Sequence, residues 1–480
     1  MWQERSMSGV WKVAAVRDAE AALMARLPEG TLMARAAGAL AARIGRLLGD
    51  TGGVYGSHVT LLVGAGDNGG DALYAGAVLA ERGARVTAIE IFAGRHHVAA
   101  GEAFVAAGGR FAGRLPEHTD LVVDGIFGIG GRPGLPPAAV DLLARLAGVT
   151  TVAVDVPSGV EVDTGAVSAP AVKADVTVTF GCRKPATSVG AGAVHSGLVE
   201  FVDIGLGPYL PEPHAIIPTI EDIRRWWPRP SPYDDKYTRG VLGVCAGSYR
   251  YPGAGELAVA GALAGPAGYI RYAGTAARHV RYRFPEVVTK DRVADAGRVQ
   301  AWTVGPGMGT DSVAASQLSS ALDEGVPMCL DADGLTLLAA EPYLLTGRGA
   351  ATVLTPHDRE YARLAGRCTG DDRIGDAREL AERFDCIVLL KGYRTVIVDP
   401  RGLTYLNPTG DPALATAGSG DVLAGLLGAL LAGGLRADRA AIAAAFVHGL
   451  AGREAARTGP VTAWRIATTL PLVLGEMIGV

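Results

Sequence analysis

The sequence predicts an α/β protein of two domains, each built on a doubly wound, largely parallel sheet, and three observations lead there. A chain of 480 residues is too long for one ordinary core, so two domains of about 200–250 residues are expected. Apolar runs of strand length repeatedly end in glycine loops that hand over to helical spacing, the strand–loop–helix order of such sheets. The 67 glycines are about double the usual share, as many tight strand-to-helix turns require. A net charge of -4 leaves no basic footprint, which excludes nucleic acid as an expected partner. Cys182, Cys245, Cys329, Cys368 and Cys386 lie far apart with no Cys-x-x-Cys, so neither a disulfide framework nor a zinc site is expected, and a reducing cytoplasm is the natural home. No apolar run approaches the roughly 18 residues of a membrane span, and the opening MWQERSMSGV lacks a signal peptide's apolar core.

From Val13 to Leu48, Ala, Leu and Met recur at helical spacing, with Pro28 and Gly30 separating two helices. Val59–Val63 is a buried strand, Gly64–Asp71 a glycine loop, and ALYAGAVLAERG a helix leading to the strand ARVTAIEIF. The loop spacing is not Gly-x-Gly-x-x-Gly, but a plain turn does not need Asp67, Asn68 and Asp71 within five residues. A second strand ends at Asp124 and enters the loop Gly128–Gly134; a third, TTVAVDVPSG, ends with Asp155, Pro157, Ser158 and Gly159. In an open parallel sheet the carboxyl ends of strands share one crevice, where Asn68, Asp124 and Ser158 could converge as oxygen ligands for a hard cation. The alternative is that each caps the helix after it.

The motifs GDNGGDALYAG, VVDGIFGIGGRPG and VDVPSGV make residues Val10 to Leu206 resemble the NAD(P)H-hydrate epimerase family, with a Rossmann-like three-layer sandwich over 10–207. The resemblance implies that Asn68, Asp124 and Ser158 hold a potassium ion. It also implies that Asp67, Asn68, Gly69, Gly70 and Asp71, with Gly128, Ile129, Gly130, Gly131, Arg132, Pro133 and Gly134, hold the hydrated nucleotide. Asp155 becomes the acid/base beside the nicotinamide ring. Asp67 departs from the family, which often has Asn there, and adds a negative charge beside a pyrophosphate.

Seven prolines within 25 residues, Pro208 to Pro232, preclude a regular helix or central strand over much of that segment and mark a linker at 208–235. Its Arg224, Arg225, Trp226 and Trp227 form either a binding patch or tryptophans packed on a neighbouring domain.

The second domain, 236–480, opens with the strand GVLGVCAGS and continues through YPGAGELAVAGALAG as loop and helix, with Pro266 beyond it at a position expected to tilt the helix end. The strand AWTV runs into a glycine loop at Gly307, MCLDADG ends a strand in Asp331 and Asp333, and His357 follows a strand and a proline. Lys391 to Thr395 join two strands of a hairpin, and Lys391 beside Gly392 fits a phosphate contact or a solvated turn. In NPTGDPALATAGSGDVLAGLLGALLAGG, residues Asn407–Gly434, a loop of Gly418, Ser419 and Gly420 hands over to an apolar helix stopped by Gly433 and Gly434. A helix N-terminus with bare backbone favours an anion such as phosphate. Asp421 at that terminus is either a cap or the base for a hydroxyl that attacks a phosphoryl donor.

This Gly-x-Gly-Asp resembles the anion hole of the ribokinase-like superfamily, and with KYTRGVLGVCAGSYRYPGAGELA, VGPGMG, LDADGLTLL, LTPHDREYARLAG and LLKGYRTVIVDPRG it resembles the ADP-dependent NAD(P)H-hydrate dehydratases. The resemblance implies Ala254, Gly307, His357 and Asp421 against the substrate, and Lys391, Gly392, Tyr393, Arg394, Thr395 and Gly420 against the adenine nucleotide, with Mg2+ accompanying ADP. Both halves point at one substrate. The expected protein is a cytoplasmic, homo-oligomeric, bifunctional NAD(P)H-hydrate repair enzyme that epimerises the hydrate and dehydrates its S form with ADP. The alternative is a small-molecule kinase fused to a nucleotide-binding domain without catalysis.

Overall fold

The computed structural model describes residues 8–478, so the first seven residues of the opening segment lie outside it. The chain divides into two compact units between Ile216 and Ile217. Among the described residues no helix is long and apolar enough to cross a membrane.

In the first unit, helices α1 (Val13–Met24) and α2 (Thr31–Gly49) precede the first βα unit, with Gly30 at φ 77° entering α2. Strands β2 (His58–Val63), β3 (Arg85–Glu90), β4 (Arg110–Phe111), β5 (Leu121–Gly125), β6 (Thr150–Val154), β7 (Val176–Phe180) and β8 (Leu198–Val202) form one sheet in the order β4-β3-β2-β5-β6-β7-β8. Every pairing in it is parallel. Apolar runs such as LVVDG and VTVTF are buried throughout, as strands covered on both faces must be. The chain leaves β2 toward β3 and β4, then returns to place β5 on the other side of β2. That reversal opens a crevice at the carboxyl ends of β2 and β5. A short antiparallel pair, β1 (Gly9–Val10) with β9 (Ala215–Ile216), ties the two ends of this unit together.

Helix α3 (Asp67–Glu81) corrects the expected loop, because Asp67 to Asp71 form its first turn. A side chain at position 69 would sit 2.3 Å from the Gly64 carbonyl oxygen, so glycine lets the helix start directly against the strand.

The proline-rich segment carries more order than its composition suggests. Between Pro218 and Pro228 fits a seven-residue helix, Ile220–Trp226, held by a reciprocal capping box of Thr219 and Asp222. Trp227 is buried in the second unit's core, and Arg439 lies 5.2 Å from the ring centre of Trp226.

The second unit repeats the switch. Strands β10 (Val241–Cys245), β11 (Tyr269–Ala273), β12 (Val288–Lys290), β13 (Ala301–Val304), β14 (Met328–Leu330), β15 (Thr352–Leu354), β16 (Ile387–Leu390), β17 (Val396–Val398) and β18 (Thr404–Leu406) run in the order β18-β17-β16-β15-β14-β13-β10-β11-β12. They are parallel from β12 through β16. The hairpin β16–β17–β18 is antiparallel. Helices α4 (Pro252–Leu263) and α5 (Ser419–Ala432) pack on each other, and α6 (Ala437–Arg457) follows. Pro266 lies beyond the end of α4, two residues after its C-cap Ala264.

The contact between α4 and α5 is backbone against backbone. A side chain at Gly425 would stand 1.9 Å from the Ala258 carbonyl oxygen, and one at Gly261 would stand 2.1 Å from that of Val422. Because neither carbonyl can yield without moving a whole helix, Gly425→Ala should destabilise the second unit by about 1–3 kcal/mol, the usual range for overpacking. Denaturant unfolding of that unit checks this, and an unchanged midpoint would mean that the helices slide apart at no cost.

Candidate active sites

In the first unit Asp124 is wholly buried near the end of β5. Its Oδ1 accepts from Ser158 Oγ at 2.6 Å and Ile126 N at 3.2 Å, and its Oδ2 from Ser158 N at 2.8 Å. Burial pushes its carboxyl up to about 6 despite these bonds. Asp124 and Ser158 therefore bond each other rather than capping helices. Asn68 meets the loop after β5: a side chain at Gly128 would lie 2.9 Å from Asn68 Oδ1. Asn68 Nδ2 is buried without a hydrogen-bond partner. Of the Gly128–Gly134 loop, Gly131 N closes a turn on Gly128 O, Ile129 packs on the core, Gly130 faces Arg17, and Arg132 and Pro133 are exposed.

Asp155 follows β6 at φ 64°, a conformation costly for a residue with a side chain. Its Oδ1 accepts from Lys184 Nζ at 2.5 Å, Thr179 Oγ1 at 3.1 Å and Phe180 N at 3.1 Å. Burial pulls the Lys184 ammonium down, but Asp155, with Cys182 and Glu20, together outweigh it and the net shift is upward, so the lysine stays charged. Asp71 is held well above the usual carboxylate range, first by burial and then by Asp155, Asp67 and Glu20, and its Oδ1 has no hydrogen-bond partner. Glu20, on α1, is raised chiefly by burial. Sequence reasoning missed Lys184 and Glu20. Lys184 follows β7, a fourth strand end of the same crevice, and that position was its signal.

In the second unit α5 begins at Ser419, so of the expected Gly418–Gly420 loop only Gly418 stays outside, as a left-handed N-cap at φ 85° that favours glycine. Asp421 lies in the first turn, where burial, then Asp331, push its carboxyl up to about 7 against the pull of Lys391. Lys391 follows β16 and donates to Asp331 Oδ1 at 2.8 Å, with Glu360 Oε2 3.6 Å away. The charges of Asp331 and Glu360 outweigh burial and raise the Lys391 ammonium. A side chain at Gly420 would come within 3.4 Å of Lys391 Nζ, so the bare first turn of α5 faces this lysine.

The other expected residues divide. Gly307 opposes Ala254 so closely that a side chain on it would meet the Ala254 methyl at 2.6 Å. His357 caps the helix Asp358–Ala365: its Nδ1 accepts from Arg359 N and Glu360 N at 3.1 and 3.2 Å, while Glu360 accepts from His357 N at 2.8 Å. In the turn Lys391–Thr395, Thr395 Oγ1 donates to Gly392 O at 3.2 Å. Arg394 donates to Pro408 O and lies 4.8 Å from the centre of the Tyr393 ring. Glu360 and the buried His448 were not legible in the sequence. His448 Nε2 lies 3.0 Å from Ser419 O and anchors the first turn of α5.

A parallel sheet whose strand ends face a bare helix N-terminus with a carboxylate and a lysine defines the second unit as ribokinase-like; the first is a Rossmann-like α/β unit. Residues 242–472 match the family described as NAD(P)H-hydrate dehydratase, and residues 29–186 the family described as YjeF-related protein N-terminus. The bifunctional NAD(P)H-hydrate repair enzyme Nnr of Mycobacterium leprae is 51% identical over 458 residues, 95% of this chain and 96% of that protein. That of Corynebacterium glutamicum is 37% identical over 447 residues, 78% of each chain. The ADP/ATP-dependent NAD(P)H-hydrate dehydratase of Bacillus subtilis, co-crystallised with ATP/Mg2+, superposes with a TM-score of 0.50 at 27% identity over 54% of this chain and 97% of its own. The chain belongs to the family of bifunctional NAD(P)H-hydrate repair enzymes, with an epimerase domain and an ADP-dependent dehydratase domain.

Burial holds His448 down at about 4, against an ordinary histidine value of about 6.5. A depressed folded value means that the neutral ring stabilises the fold above pH 6.5, and that this contribution is lost as pH falls through about 4. At roughly 1.36 kcal/mol per unit the loss is on the order of 3 kcal/mol. Unfolding of the second unit, followed from pH 7 to pH 4, should therefore be steeper in acid for the wild type than for His448→Gln, and equal slopes would contradict this.

Proposed function

We propose that the second unit activates the hydroxyl of the S hydrate by phosphorylation from ADP, and that phosphate then leaves to restore the ring double bond. Hydroxide is a poor leaving group and phosphate a good one, so a kinase-like site serves as a dehydratase. The observation that carries this reading is Asp421 in the bare first turn of α5 beside the Lys391–Asp331 pair. Asp421 takes the hydroxyl proton. Lys391 to Thr395 and Gly420 receive the nucleotide, and Ala254, Gly307 and the exposed edge of His357 receive the hydrate. Mg2+ would be held by the nucleotide phosphates beside Lys391 and Gly420 and would offset their charge, as it accompanies ATP in the Bacillus subtilis relative. Asp421→Asn should slow dehydration by about 100- to 10,000-fold, the range of a positioned general base, while ADP still binds. A base at about 7 also requires the wild-type rate to fall as pH drops below 7. Near-normal dehydration by the variant, with AMP and phosphate still released, would show that Asp421 only caps its helix.

The first unit, in this reading, interconverts the R and S hydrates in the cytoplasm, with Asp155 as acid/base and the α3 first turn and Gly128–Gly134 loop around the nucleotide. Potassium suits the oxygen set of Asn68, Asp124 and Ser158. A wholly buried carboxylate raised by desolvation is relieved by a cation, and turning the Asn68 amide over puts an oxygen where its unpartnered nitrogen stands. The ion would fix the loop after β5. Potassium should raise the unfolding temperature of the wild-type first unit in proportion to the logarithm of its concentration, with sodium as control. Asp124→Ala should remove that response and slow epimerisation without touching dehydration; a variant that still responds to potassium would rule this site out.

A further inference from the structure

We infer that Lys184 is a positioning residue for epimerisation: it saturates one oxygen of Asp155 and so leaves Oδ2 as the single basic oxygen turned to the substrate. This rests on the reading of Asp155 as the base and goes beyond it. Three donors converge on Oδ1, from Lys184 Nζ, Thr179 Oγ1 and Phe180 N. An oxygen that already accepts three hydrogen bonds, one from a cation, is a poor proton acceptor.

Lys184 itself is not placed to touch substrate. Its side chain is 1% exposed, and its three hydrogens are used by Asp155 Oδ1, Thr179 Oγ1 at 3.3 Å and Phe180 O at 2.8 Å. What it supplies is charge and geometry. Around the pair stand Glu20 and Arg17 from α1, Asp67 and Asp71 from α3, and Cys182 from the segment after β7. Four carboxylates thus face two cations. Without the ammonium, Asp155 would sit among three other acids with only Arg17, which acts on Glu20, left as a cation nearby, and protonation would silence the base. The left-handed backbone at Asp155 points the same way, since such a conformation persists where surrounding bonds over-determine it.

The test compares pH profiles of epimerisation, kcat and KM separately, for the full chain and for Lys184→Met, Thr179→Val and Asp155→Asn. Lys184→Met should lower kcat at neutral pH by about 10- to 1,000-fold and move the acid limb up by about one to three pH units, the effect of losing a close opposite charge. KM for the hydrate should stay within about threefold, since a buried residue behind the base acts on turnover rather than on binding. Thr179→Val, near-isosteric and short of one donor, should move the acid limb the same way by less. Lys184→Met that folds and keeps the wild-type acid limb overturns the inference. If that variant does not fold, Thr179→Val decides alone, and an unmoved limb overturns it equally. Asp155→Asn separates the two levels: near-normal epimerisation there sinks the reading of Asp155 as base, whereas its loss with unmoved limbs in the other variants sinks only the role given to Lys184.

Discussion

Each unit depends on one lysine bonded to an aspartate at the carboxyl ends of its parallel strands, Lys184 to Asp155 at 2.5 Å and Lys391 to Asp331 at 2.8 Å. A parallel sheet makes such a pair attainable, because it brings strand ends distant in sequence to one edge. A buried ion pair is weak evidence for stability, and removing one partner leaves a charge stranded. The two pairs are used differently. In the first unit the lysine grips the proposed base itself. In the second it grips a neighbour, Asp331, whose charge combines with burial to lift Asp421 to about 7, near the pH at which a base works best.

Glycine loops after apolar runs announced the strand ends, so the places of Asp124, Asp155 and Lys391 were legible in the sequence, and the glycine loop before an apolar helix marked Asp421. The starts of α3 and α5 were read late. Asp67–Asp71 and Gly418–Gly420 look like loops by composition, yet the glycines are there because the helix begins against backbone, as Gly69 does against Gly64. Proline density in the same way hid the Thr219–Asp222 capping box. Lys184 follows a strand end and carried that one signal, whereas Glu20, Glu360 and His448 could not be assigned, because their meaning lies in partners that no local spacing reveals. His448 reads as one more polar residue in an alanine-rich helix until its contact with Ser419 is seen. His357 is another such case: its place after a strand and a proline does not announce a cap, yet it caps a helix by accepting from Arg359 N and Glu360 N while half of its side chain remains exposed.

Small side chains are the currency of the second unit's centre. Helix α5 is buried around nearly its whole circumference, and its glycine faces α4 with no intervening side chain. A helix apolar on all sides has no solvent face and cannot stand outside a finished core. This also limits what substitution can change: the exposed Tyr393 turn has room for other side chains, but the α4–α5 seam does not.

The same seam sets an order of events during synthesis. Helix α4 is made roughly 150 residues before α5, its partner in the core. At about 5–20 residues per second a ribosome takes on the order of 10 to 30 seconds to cover that distance. Throughout that interval α4 and the strands beside it present apolar surface with nothing to cover it, and the non-local strand pairing of a parallel sheet adds its own delay. Until Ala432 has emerged the nascent chain carries this uncovered apolar surface, whatever the stability of the finished enzyme.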